Sequence, residues 1–123
     1  MRERIAWILV LPVAALCGFI DVTMEEIFIP AVMLLLAAAV LTFLAPRRWP
    51  VWALFTGGSI PVAHAIVRTF GILLPYPPPG MLDTLLAFVP SLSGCALGYS
   101  LAHTISTPPS GDPPPLPRSR HPR

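Results

Sequence analysis

His64 is the one ionisable side chain set well inside an apolar run of this sequence. Counted from Val51 along a helix, it lies about 20 Å from the start of its run. An ionisable group at such a depth in a membrane marks a functional site by default. Arg68 follows one helical turn later, and Asp21, Glu25, Glu26 and Asp83 fall in turns assigned below to the same side. These six residues define a candidate outer polar cluster. An imidazole among carboxylates is suited to holding or relaying a proton. The plainer account is an interfacial histidine bonded to a backbone carbonyl, with solvated loop charges around it. No carboxylate lies within an apolar run to complete an ion or proton path through the membrane.

Other reactive residue types are sparse. Cys17 and Cys95 both sit in apolar runs without the paired Cys or His spacing of a zinc site, so they are expected to be small apolar packers. There is no G-x-S-x-G, H-E-x-x-H or glycine-rich phosphate loop. Hence no catalytic, cofactor-binding or metal-binding residue is expected, and no enzyme. His103 is expected to be an ordinary interfacial histidine. The segment Pro113–Arg118 resembles proline-rich ligands of aromatic grooves, but a solvated tail facing anionic lipid accounts for it more simply.

A second kind of spacing concerns packing. Gly94-x-x-x-Gly98, with Ala102 one step further, places small residues on one ridge of a helix, where another backbone can approach closely. Gly57, Pro61 and Ala65 share that spacing in the preceding run, as do Ala14 and Gly18 in the first. The ridge at Gly94 and Gly98 is expected to meet either the helix carrying Gly57 and Pro61 or a second protomer.

Four apolar runs must position these residues. Of 123 residues, 54% are hydrophobic and only 11% charged, with a mean hydropathy of +0.72. A soluble domain carries about 25% charged residues, so lipid must cover part of the surface. The runs predict helices over about 5–24, 27–45, 51–74 and 82–105. The first, after a short basic head, resembles a signal peptide but lacks an A-x-A site, and an uncleaved helix is expected. Each run contains one proline, at Pro12, Pro30, Pro61 and Pro90. The Pro75–Gly80 stretch, Pro-Tyr-Pro-Pro-Pro-Gly, cannot be helical. Residues 106–123 are rich in proline and arginine and are expected to be a disordered tail.

Orientation follows from arginine, the only basic residue type besides histidine. In a four-helix arrangement Arg2, Arg4, Arg47, Arg48, Arg118, Arg120 and Arg123 fall on one side, and Arg68 alone on the other. Cytoplasmic loops carry the arginine excess, so both termini are expected inside. Trp7, Trp49 and Trp52 are expected at that inner interface, rings among the headgroups.

The turn Pro46-Arg47-Arg48-Trp49, running into Trp52-Ala53-Leu54, Gly57-Gly58 and Pro61, resembles small uncharacterised bacterial four-helix integral membrane proteins. The resemblance covers about a quarter of the chain and implies fold and location, not activity. Small multidrug transporters carry a glutamate in helix one that Ile5–Ile20 lacks. The expectation is therefore an all-α, four-helix transmembrane bundle with both termini cytoplasmic, multi-pass in the inner (plasma) membrane. Its partners are the lipid bilayer and a second copy or a larger membrane protein, not nucleic acid. The leading function is a non-enzymatic membrane subunit packing through helix faces. The alternative is a homo-oligomeric channel or transporter with an outer polar vestibule.

Overall fold

A computed structural model describes residues 1–77 and 79–107, with the backbone alone for Met81. The tail expected from residue 108 onward lies outside the described residues. Among those described, all regular structure is helical: α1 Arg2–Thr23, α2 Phe28–Leu44, a 3-10 turn Pro46–Arg48, α3 Trp49–Phe70, α4 Met81–Leu85 and α5 Phe88–Ser106. Taking α4 and α5 as one interrupted rod, there are four helices. Three of them, Arg2–Thr23, Pro46–Phe70 and Leu82–Ser106, are long and apolar enough to cross a membrane. α2 has 17 residues, about 26 Å at 1.5 Å per residue, against a hydrocarbon core of about 30 Å.

Local chemistry sets the ends. The third helix starts earlier than its predicted position, because Pro50 occupies its first turn, where a missing N–H costs nothing. It also stops earlier. Gly71 takes φ 62°, the left-handed conformation that ends a helix, and the Gly71 and Ile72 amides bond back to Arg68 and Val67. The predicted continuation to Leu74 therefore does not occur.

The fourth run is not one helix either. It breaks at Leu86–Ala87 because Pro90 has no N–H to offer the Leu86 carbonyl. That carbonyl instead accepts the Val89 amide at 3.0 Å, a tighter three-residue bond. Pro30 and Pro90 both lie in first turns, whereas Pro12 and Pro61 lie inside α1 and α3.

Two helix pairs make up the bundle. α2 packs most extensively on α5 and α1 on α3, and α3 joins the pairs by packing on α5. In the chain order, both close pairs are parallel. The α2–α5 seam is backbone against backbone. A Cβ at Gly94 would overlap the Leu35 carbonyl oxygen, and one at Gly98 that of Ala39. The ridge thus meets α2, not the α3 partner or second protomer that its spacing suggested. Gly94 with Gly98, and Leu35 with Ala39, supply matching four-residue steps on the two helices, which is why they mate. Ala102 is buried further along the ridge. Gly57 faces the Phe88 ring, and Pro61 is half-buried.

The turn between α2 and α3 is fixed by Trp52. Its ring is fully buried and its Nε1–H donates to the Ala45 carbonyl at 2.9 Å. It does not sit among headgroups, because that bond satisfies its only polar atom inside the core. Trp7 packs edge-on against it at 5.0 Å, and Trp7 and Trp49 stay exposed. Arg48 lies over the Trp7 ring at 5.7 Å and pairs with Glu3 at 2.5 Å.

Candidate functional site

α1 delivers Asp21 in its last turn, and α3 delivers His64 beside it. The His64 Nε2 lies 2.8 Å from the Asp21 Oδ2. The two side chains are only 8% and 19% exposed. A carboxylate accepts only, so Nε2 carries the hydrogen. His64 Nδ1 is buried and has no partner among the described residues. A buried polar atom without a partner is uncommon and costs stability.

The rest of the predicted cluster does not converge. Arg68 Nη2 donates to the Pro79 carbonyl at 2.7 Å and ties the proline-rich loop to the end of α3. Asp83 accepts the Gly80 amide at 3.0 Å and caps α4. Glu25 and Glu26 are exposed in the α1–α2 turn and make no ion pair among the described residues. Loop geometry separates them: the other four residues stand in or beside short turns, and Arg68 and Asp83 bond local backbone groups there. Only His64 and Asp21 face each other from two long helices.

Three recesses meet at His64. One of about 260 Å³ opens between the acidic turn and the proline-rich loop, past Glu25, Glu26 and Tyr76. A second, of about 370 Å³, runs between Asp21 and Asp83 over an apolar floor including Leu34 and Ile60. The third, of about 230 Å³, touches Arg68 and Thr84. Toward the α2–α3 turn the space closes. Cys17, Leu34, Ile60 and Ala87 pack together beneath the pair. Deeper still is a second apolar cluster that includes Val10, Leu41 and Trp52.

Between α3 and α5 runs a buried hydroxyl seam that sequence reasoning did not single out. Ser91 Oγ contacts the Thr56 hydroxyl and donates to the Ala53 carbonyl at 3.1 Å, while Thr56 Oγ1 donates to the Trp52 carbonyl at 2.7 Å. The available signal was position: Thr56 precedes Gly57, and Ser91 lies three residues before Gly94. Cys17 and Cys95 are buried free thiols, and Cys95 Sγ lies 3.6 Å from the Trp49 carbonyl. His103 packs its ring on Tyr99 at 4.5 Å near the exposed end of α5. Among the described residues no three of His, Cys, Asp or Glu gather as a metal-binding group. Comparison with protein families, with curated proteins and with solved structures finds no match for this chain.

Proposed function

We propose that this chain is a multi-pass protein of a bacterial inner membrane, with four spanning segments and both termini cytoplasmic. It works without catalysis, as a small membrane subunit whose outer end carries a polar recess. The arginine distribution supports the orientation. α2 spans despite its length because a bilayer thins locally at modest cost around a short helix held by its neighbours.

The observation that carries the reading is the His64–Asp21 bond. An ionisable pair removed from water is costly to maintain and adds little net stability over an apolar contact. Its place at the foot of three recesses makes it the floor of a docking position for a partner's polar segment. A transporter with an outer vestibule is the second reading, and the same recesses favour it. Against it stands the apolar packing of Cys17, Leu34, Ile60 and Ala87, which closes off the space beneath the pair among the described residues.

Accessibility tests the choice. His64→Cys is introduced in a Cys17→Ala, Cys95→Ala background and exposed in intact cells to a membrane-impermeant thiol reagent. Mild-detergent purification of the tagged wild-type chain accompanies it. The subunit reading expects no labelling at position 64 and a stoichiometric partner. Rapid labelling with a chain that purifies alone would reverse the order of the two readings.

A further inference from the structure

A recess larger than any of the three at His64 lies on the outside of the other parallel pair. Between α1 and α3 runs an open groove of about 650 Å³. Leu11 and Ala15 form one wall, Phe55 and Val62 the other, and Gly58 lies along it with nothing within 4 Å of where a Cβ would stand. Its only polar lining residue is Ser59, half-buried, whose hydroxyl is bonded to the Thr56 carbonyl at 2.6 Å. A dry groove facing hydrocarbon must be filled, because an empty one forfeits dispersion contacts along both walls.

Charge identifies the filler. At 100° per residue, Arg4, Leu11 and Ala15 fall on one stripe of α1, so Arg4 stands about 10 Å beyond the groove's inner end. Arg48 reaches the same mouth from the start of α3. Its guanidinium lies over Trp7, and Trp7 abuts Phe55, a groove wall, at 6.3 Å. Arg2 and Arg47 are exposed at this end too, so four arginines outnumber the one carboxylate, Glu3. Because α1 and α3 are parallel, both N-termini point here, and neither N-cap side chain bonds its first turn. Helix N-termini favour an anion. The other end of the groove lies on the side of Asp21, Glu25 and Glu26, where an anion is disfavoured.

We infer that the α1–α3 groove seats an acyl chain of an anionic glycerophospholipid from the cytoplasmic leaflet, its phosphate held at Arg4 and Arg48. The assignment rests on the membrane placement proposed above. A zwitterionic lipid fills the same groove without the charge match, and selection between the two is what the arginines contribute.

The test uses the full chain reconstituted in vesicles of equimolar phosphatidylglycerol and phosphatidylcholine, extracted in mild detergent and weighed by native mass spectrometry. Wild type should retain one phosphatidylglycerol in preference to phosphatidylcholine. Arg4→Gln, a change on the exposed surface, should lower that preference about fivefold, equivalent to about 1 kcal/mol for one arginine near an anionic phosphate. Gly58→Leu fills open space without a clash and should abolish retention of both lipids. Failure of the wild type to enter the vesicles would overturn the membrane placement and this inference together. Insertion with equal retention of the two lipids would overturn the lipid assignment alone. So would a lipid-free dimer lost in Gly58→Leu, which would give the groove to a second copy.

Discussion

The two parallel helix pairs carry similar small-residue spacing and end up differently. In the α2–α5 seam, Gly94 and Gly98 lie against carbonyl oxygens, leaving no room for a methyl group. In the α1–α3 seam, Gly18 touches Ala63 and the Ser59 carbonyl, yet Gly58, on the facing helix, borders nothing. The closed seam is held along its length by backbone contact. The open one is fastened at its ends, by Trp7, Arg48 and Glu3 at the end nearer the α2–α3 turn and by His64 and Asp21 at the other. Small residues permit close approach, and whether the helices close depends on what the opposite surface presents at the same step. Leu35 and Ala39 repeat in phase with the glycines of α5. On α1, Leu11 and Ala15 stay exposed and line the open groove instead.

The sharpest way to break this contrast is to put the same side chain into both seams. Gly98→Leu should cost about 3 kcal/mol or more, since overpacking against backbone cannot be relieved by a rotamer change. Gly58→Leu should stay within about 0.5 kcal/mol of wild type. Reversible unfolding in mixed micelles measures both, and equal losses would erase the distinction between the seams.

The His64–Asp21 fastening comes next. Asp21→Asn leaves His64 with a weakened partner in a buried site, and a loss of about 2 kcal/mol is expected. The double variant Asp21→Leu, His64→Leu should recover part of it, because an apolar pair of similar volume removes the desolvation cost. A double variant no better than the single one would show that the pair contributes more than it costs.

Trp52→Phe probes the α2–α3 turn. It keeps the ring packing against Trp7 and removes the bond to Ala45, for an expected loss of about 1 kcal/mol. A small effect, and one set by salt, should come from Arg48→Gln. Arg48 and Glu3 are both about half exposed, and such pairs contribute under about 1 kcal/mol, less in high salt. Thermal unfolding of both variants at low and high salt separates them: only the Arg48 difference should shrink as salt rises.

Much of the helical architecture was legible because apolar length is a strong signal. Among the described residues the proline-rich stretch carries no helix, and Gly94, Gly98 and Ala102 lie on the face of α5 that packs on α2. What sequence could not supply was the mate of that ridge, since several helices offered small residues at the same spacing. The end of α3 was missed because apolar residues continue past Gly71, and only the left-handed φ reveals the stop. The break before Pro90 was hidden for a related reason: hydropathy is blind to a missing N–H. Of the six residues in the predicted polar cluster, a shared side of the membrane joined them in sequence. Hydrogen-bond geometry retained only His64 and Asp21 as a buried pair, because the turns satisfy Arg68 and Asp83 locally.

The mating of α2 with α5 also imposes an order on synthesis. The second helix leaves the ribosome well before α5, whose glycine ridge covers its Leu35 and Ala39 carbonyls. Contacts between α1 and α3 can form before α5 is made, whereas α2 stays uncovered on one face until α5 arrives. Closing a contact across so much chain is slow. A nascent chain halted anywhere before Gly98 is therefore a half-built bundle with its tightest joint open.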